Sequence, residues 1–283
     1  MTFDRRHRFL IIAVLGFAIG AKLVVADPRL TVTVFDVGQG DAILVQCGRR
    51  QLLIDGGPDA SVLAGLGRSM PLFDRDIDAA VLTHPHADHF IGLVSVIGRY
   101  RVRRLFVSRM EGRAPEFGAF ADAVSRAGLD PVRVRTGDSI AIGGCGTAEV
   151  LWPADDAAAA AKDPNAASVV LRLRSSASSG KGDAVMLMGD ATADVEDMIL
   201  SRGADVRADV LKAGHHGSRF STTAEWIEAV RPKEAAISVG KNSYGHPAWS
   251  TLRRLEVAGV RVSRTDLDGD IRFAFTPAGV MRE

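Results

Sequence analysis

From Leu30 onward, apolar residues gather in short runs rich in β-branched side chains: Leu30 to Phe35, Ala42 to Gln46, Gln51 to Ile54 and Ala79 to Thr83. Runs of this length and composition predict strands. The segments between them, Asp36-Val37-Gly38-Gln39-Gly40-Asp41 and Asp55-Gly56-Gly57, are turn chemistry, with glycines free to take positive φ and aspartates able to bond nearby amides. Helical stretches follow near Ala60 to Gly67, Gly92 to Gly98 and Pro115 to Ala127. The second half repeats the order, with strands at Ser168 to Arg174, Ala184 to Met188, Ala208 to Lys212 and Ala235 to Val239. Its helices fall near Ala193 to Arg202, Thr223 to Val230 and Ala248 to Val257. Ser175 to Asp183 reads as a hairpin connection, Ala154 to Ala167 as an irregular crossing between the halves, and Asp268-Gly269 as the turn of a terminal hairpin. The pattern is α/β. It fits two sheets packed face to face with helices outside both, and it fits other α/β layers equally well.

Composition narrows the class without choosing a function. The chain has 283 residues, 47% hydrophobic and 24% charged, which excludes disordered and fibrous proteins and permits a sizeable core. No linker divides it, so residues 27–283 read as one domain. Ahead of it, Arg5, Arg6 and Arg8 precede the apolar run Phe9 to Ala21, the layout of an export signal. Val24-Val25-Ala26 offers a cleavage site, and the same segment, interrupted by Lys22, is alternatively a short anchor, so residues 1–26 are a signal peptide or a signal anchor. Either way the remainder is expected outside the cytoplasm, periplasmic or extracellular. A net charge of +1 demands no polyanionic partner. Cys47 and Cys145 are too few for a disulfide framework and lack metal-ligand spacing; they read as small buried residues, with one disulfide between them left open.

The chemistry concentrates in His84-Pro85-His86-Ala87-Asp88-His89, directly after a predicted strand. Three of the chain's 7 histidines fall within six residues beside a carboxylate. A loop at a strand end can send His84 and His86 to one side and Asp88 and His89 to another, giving adjacent sites for divalent metals. Asp190 follows the strand Ala184 to Met188, where a ligand is well mounted, although Asp there also suits a helix N-cap.

Thr83 to His89 resembles the signature loop of the metallo-β-lactamase superfamily. Together with Leu30 to Asp41, Leu53 to Gly57, Met188-Gly189-Asp190, Asp209 to Ser218 and Tyr244-Gly245-His246-Pro247, it is similar to the catalytic domain of ComEC-type competence proteins, which handle incoming DNA. That resemblance implies a four-layer αββα sandwich. It implies a first metal on His84 and His86, a second on Asp88, His89 and His215, and Asp190 bridging both. It also sets Asn165 and Ser168 near the site, with the spacing before Asn165 stretched here by alanines. No histidine lies between His89 and His215, so an imidazole that many superfamily members place there is absent. The site is then more open and oxygen-rich, suiting manganese as well as zinc, and β-lactamase or glyoxalase activity is disfavoured.

Other residues divide between chemistry and support. Adjacent side chains in an extended segment face opposite ways, so of His215 and His216 the first is assigned to metal and the second to substrate or packing. His246 is a candidate to stabilise developing charge or protonate a leaving oxygen. Asp55 is expected to orient a ligand histidine; Asp36 and Asp41 support the pocket or only their turn. Lys212 reads as solvated, or as a counter-charge to phosphate. Arg99, Arg101, Arg103 and Arg104 flank a strand and either contact phosphates or protect an edge. Asp266 to Asp270 reads as a hairpin turn rather than a calcium loop.

Two metals about 4 Å apart can activate a shared water as hydroxide for in-line attack at phosphorus. The expected function is therefore an exported metal-dependent phosphodiesterase or nuclease, with DNA, single-stranded, as the substrate the resemblance suggests. The rivals are a phosphodiesterase for small esters such as phosphocholine esters, and a non-catalytic DNA-binding module. With 6% aromatic residues, the composition itself supports nucleic acid only thinly.

Overall fold

In the computed structural model, residues 27–109, 112, 115–154, 163–176 and 183–283 are described. The predicted leader over residues 1–26 lies outside them, as do most of the crossing between the halves and the middle of the Ser/Gly-rich connection. The first sheet has eight strands, in spatial order Gly279–Arg282, Ile271–Thr276, Leu30–Val34, Ile43–Cys47, Arg50–Ile54, Ala79–Leu82, Leu105–Val107 and Val132–Arg133. Leu30–Val34, Ile43–Cys47 and Arg50–Ile54 form an antiparallel meander with Val32 opposite Val45; from Arg50–Ile54 outward the strands run parallel. The second sheet has seven, in order Arg261–Arg264, Glu234–Ile237, Val210–Lys212, Ala184–Leu187, Val170–Ser175, Gly146–Trp152 and Ser139–Ile142. Its first four strands are parallel.

The cores show how the layers stack. One apolar cluster joins Val32, Val45, Ile54 and Val81 of the first sheet to Val150, Leu171, Val185 and Val210 of the second, so the sheets meet face to face. On the outer side of the first sheet, Leu44, Leu53, Ala80 and Leu82 pack against helices Val62–Ser69, Ala87–Arg99 and Phe117–Arg126. Outside the second sheet, Val170, Met186 and Leu211 meet helices Ala193–Ser201 and Ala224–Val230, and Ile237 meets Leu255 of helix Trp249–Val257. That is the four-layer αββα order. It could not come from periodicity, because strands covered on both faces are apolar throughout.

Several expectations change. Strands Ser139–Ile142 and Gly146–Trp152 were not anticipated, yet Ala148, Val150 and Trp152 are buried while Thr147, Glu149 and Leu151 are half-buried, a period of two legible in the sequence. Cys47 and Cys145 are not separate buried thiols: they form a disulfide with Cα atoms 6.2 Å apart, tying the end of a first-sheet strand to a turn of the second sheet. The terminal hairpin does not turn at Asp268-Gly269. Its strands are Ile271–Thr276 and Gly279–Arg282, paired with Thr276 opposite Gly279. Residues Thr265–Asp268 instead form one helical turn, because the Asp268 carboxylate accepts the Arg264 amide at 2.8 Å. Asp270 is taken by the Asp36 amide and the Arg68 guanidinium at 2.9 and 2.7 Å, and Asp266 by Arg264. No helix among the described residues is long and apolar enough to cross a membrane.

Candidate metal centre

Four loops meet at one edge of the sandwich, each leaving the C-terminal end of a parallel strand: His84 to His89 after Ala79–Leu82, Met188 to Ala191 after Ala184–Leu187, Ala213 to Ser218 after Val210–Lys212, and Ser238 to Pro247 after Glu234–Ile237. Helix Ala87–Arg99 begins inside the histidine run, longer than the predicted Gly92 to Gly98. Its first turn presents Asp88 and His89 inward, and the carboxylate there complements the positive end of the helix dipole. Close backbone packing fixes the helix. A Cβ on Gly92 would lie 1.8 Å from the Gly56 carbonyl oxygen, so only glycine allows this approach. It also brings Asp55 beneath the site, where Thr83 donates to it from its amide and hydroxyl at 2.8 and 2.7 Å and His89 Nδ1 lies 2.8 Å from Oδ2.

Asp190 stands at the centre. Its Oδ1 faces His89 Nε2 and His216 Nε2 at 3.4 and 3.6 Å, while Oδ2 faces His84 Nε2 and His215 Nε2, each at 3.7 Å. Asp88 Oδ2 closes the first side, 3.3 Å from His216 Nε2 and 3.9 Å from His89 Nε2. On the other, His84 Nε2 and His86 Nδ1 are 2.9 Å apart. Two groups of converging donors share Asp190: Asp88, His89, Asp190 and His216; and His84, His86 and Asp190; Asp41, Asp55 and His89 make a third.

His89 Nε2, His216 Nε2 and Asp190 Oδ1 are buried and have no hydrogen-bond partner among the described residues. Such groups in a protein interior are expensive to leave unsatisfied, and three of them pointing at one another fit a cation held between them. Charge agrees with the packing. Burial alone would raise the pKa of Asp190, but the imidazoles of His216 and His89 hold it well below the carboxylate range. Burial and the neighbouring His89 keep His84 well below the usual imidazole value, and so neutral.

Of the two adjacent histidines, with His215 expected on the metal and His216 toward substrate or packing, it is His216 that falls in the four-residue donor group, while His215 Nε2 faces Asp190 Oδ2 at 3.7 Å. His216 is buried within the four-residue group, its Nδ1 2.9 Å from the Ser238 carbonyl oxygen, and His215 lines the open cleft with a side chain 26% exposed. The reason is backbone conformation. The segment is not extended: both residues are left-handed, at φ 48° and 53°, so strand alternation does not govern which side chain turns inward.

The cleft over the cluster has a volume of about 320 Å³ and is lined by Gln39, His86, Asp88, Asp190, His215 and Tyr244 among others, including His246. His246 sits with its ring 5.2 Å from that of His215; burial and the neighbouring imidazoles lower its pKa to about 4. Asn165 does not line the cleft. It lies on the single turn Pro164–Ala167 with its side-chain oxygen buried and unpartnered among the described residues, while Ser168 beside it accepts the Asp190 amide at 3.2 Å.

The supporting residues were the least visible in the sequence. Lys212 is not solvated: it is 1% exposed and paired with Asp41, which also accepts Ser238 Oγ and lies 3.4 Å from His216 Nδ1. Glu196 accepts the amides of Thr222 and Thr223, and Arg254 donates to the carbonyls of Ser221 and Thr222, so the loop after the two histidines is clamped from both sides. The arginine stripe is elsewhere. Arg101 and Arg103 bind Asp76 at 2.6 and 3.2 Å, and Arg104 lies over Phe106. They follow the far end of helix Ala87–Arg99, which is about 15 Å along the axis from His89 at 1.5 Å per residue.

Residues 35–159 match the metallo-β-lactamase superfamily. The chain is 30% identical over 266 residues to ComE operon protein 3 of Bacillus subtilis (strain 168), covering 86% of this chain and 33% of that protein. It is also 30% identical over 270 residues to competence protein ComA of Neisseria gonorrhoeae, covering 94% and 35%. The chain thus spans about a third of the length of these relatives. Among solved structures, the metallo-β-lactamase fold protein YhfI from Bacillus subtilis has a TM-score of 0.55 at 14% identity, over 87% of this chain and 99% of that one. Zn(2+)-bound PqqB from Methylobacterium extorquens has a TM-score of 0.53 at 12% identity, over 84% and 98%. At such identities the likeness is one of fold.

Proposed function

We propose that this chain, whose residues 35–159 match the metallo-β-lactamase superfamily, is an exported, metal-dependent phosphodiester hydrolase acting on DNA. The observation that carries the reading is the buried, unpartnered trio of His89 Nε2, His216 Nε2 and Asp190 Oδ1, beside a polar cleft. His84, His86 and one oxygen of Asp190 would hold one ion; Asp88, His89, His216 and the other oxygen would hold a second. Bound there, a pair of divalent ions, zinc or manganese, supplies Lewis acidity toward a phosphoryl oxygen and lowers the pKa of water toward neutrality.

The chain's own residues prepare the site. Asp55 against His89 Nδ1 and the Ser238 carbonyl against His216 Nδ1 hold each imidazole with that nitrogen protonated, which turns the Nε2 lone pair toward the cluster. His246, with a pKa of about 4, is neutral near pH 7. It can donate an N–H to an oxygen gaining charge, but it carries no standing proton for a leaving group. DNA as substrate draws its support from the competence relatives. Export draws its support from the Arg-led apolar segment and from the Cys47–Cys145 disulfide, a bond that persists in oxidising compartments.

The test is hydrolysis of labelled single- and double-stranded DNA, bis-p-nitrophenyl phosphate and p-nitrophenyl phosphocholine by the metal-stripped chain reloaded with zinc or manganese. Metal-dependent cleavage of DNA, abolished by Asp190→Ala, is expected. Stoichiometric metal without turnover of any phosphodiester overturns the enzyme reading, and turnover of the phosphocholine ester alone overturns DNA. Both cysteines are expected to resist alkylation in protein taken from intact cells; free thiols there would count against export.

A further inference from the structure

Four aromatic side chains are strongly exposed among the described residues: Phe73, Phe220, Tyr244 and Trp249. Tyr244 stands on one of the four loops that build the metal centre, and Phe220 and Trp249 come shortly after the ends of two of them. Tyr244, 73% exposed, lines the cleft itself, its ring 5.8 Å from that of His246. Trp249, 77% exposed, opens helix Trp249–Val257 three residues after His246. Phe220, 63% exposed, follows His216 by four residues.

These loops are bound into one surface. The Ala248 amide donates to the Gly217 carbonyl at 2.8 Å, and Thr251 Oγ1 donates to the Ser218 carbonyl at 2.8 Å, laying the Phe220 loop beside the start of the Trp249 helix. Asn242 shapes the other loop: its side-chain nitrogen donates to the carbonyls of Gly240 and His246, and its oxygen accepts the amides of Tyr244 and His246. Tyr244 is therefore presented by a braced turn. Cations interleave with the aromatics. The Arg219 guanidinium lies 4.8 Å over the Phe220 ring, Lys241 is exposed on the Tyr244 loop, and neither has a carboxylate partner among the described residues.

Aromatic faces left bare to water beside unpaired cations suit one ligand chemistry in particular: a polyanion whose flat apolar groups are free to stack. A duplex hides its base faces, whereas a single strand offers them, and stacking on aromatic side chains is worth about 1–3 kcal/mol per base. We propose that Tyr244, Trp249 and Phe220, with Arg219 and Lys241, form a stacking platform for single-stranded nucleic acid that leads a phosphodiester into the cleft. This rests on the phosphodiesterase reading and assigns the residues that would hold the strand.

The chain has 3 tryptophans, and Trp152 and Trp226 are buried at 1% and 0% exposure, so quenching by an added ligand reports on Trp249. The probe is phosphorothioate-linked dT12, which resists cleavage, titrated into the purified, metal-loaded full chain. Quenching is expected, with weaker binding of the same strand in duplex form and of a strand bearing abasic positions. Trp249→Phe should remove the quench, and Tyr244→Ala with Trp249→Ala should weaken binding roughly 30-fold or more, read by anisotropy of a labelled strand. Equal affinity for duplex and single strand, indifference to abasic positions, or quenching by phosphocholine but not by dT12 would overturn the proposal. Binding with quench but no cleavage of ordinary DNA would sink the nuclease reading and leave the platform standing; cleavage without stacking would do the reverse.

Discussion

Replacing Lys212 by methionine removes a charge while keeping much of the side chain's length, and its consequence can be worked out from the pair it belongs to. Lys212 and Asp41 are each 1% exposed, and Lys212 also donates to the Gly189 carbonyl at 3.3 Å. After Lys212→Met the Asp41 carboxylate keeps Ser238 and His216 but loses its counter-charge in the interior. Breaking a buried pair from one side costs about 3–5 kcal/mol, a large part of the roughly 5–15 kcal/mol that stabilises a domain. Adding Asp41→Asn removes the stranded charge. The double variant is therefore expected to lose less than the sum of the single losses, by roughly 1–3 kcal/mol.

The pH dependence has a definite sign. In the native chain burial opposes ionisation of Asp41, but Lys212 and then His216 outweigh it and its pKa is lowered. The native pair thus contributes stability above the unfolded carboxylate pKa of about 3.9, lost as pH falls through the lower folded value. Without Lys212 the foremost influence lowering the Asp41 pKa is gone, and the folded value is expected to rise. The variant's deficit should then widen as pH increases from about 4. Urea unfolding in chelator, followed by tryptophan fluorescence at pH 5 and pH 8, measures both quantities. A deficit below about 1 kcal/mol, equal at the two pH values and additive with Asp41→Asn, would refute the account.

Two further outcomes follow from the cross-link and from the protonated imidazole. Cys145→Ser opens a disulfide spanning 98 residues, which in the chain-entropy account costs about 4–5 kcal/mol and lowers Tm on the order of 10 °C; a Tm unchanged in calorimetry speaks against the bond. Burial disfavours a charge on His216, yet the carboxylates of Asp190, Asp41 and Asp88 push its pKa up to about 9. An incoming cation must displace that proton, so metal affinity should fall at least about tenfold per pH unit below 9. Chelator competition between pH 6.5 and 8.5 reads this directly, and a flat profile rules it out.

The sequence by itself determined what depends on neighbours along the chain. Strand and helix runs, the turns at Asp36 to Asp41 and Asp55 to Gly57, and the histidines clustered at a strand end all follow from local spacing and residue type. Asp55 was readable as a support because its own turn carries it, and Asp190 because it follows an apolar strand. Which of His215 and His216 turns inward was decided instead by two successive left-handed residues, φ 48° and 53°, held between clamps from Glu196 and Arg254. Lys212 looks like a surface lysine until folding sets it against Asp41, 171 residues away. The Cys47–Cys145 disulfide is of the same kind. Composition recorded few aromatics, but only the tertiary structure determined where they stand. Local preference governs how a segment folds; partners distant in sequence become legible only once the two sheets close on each other.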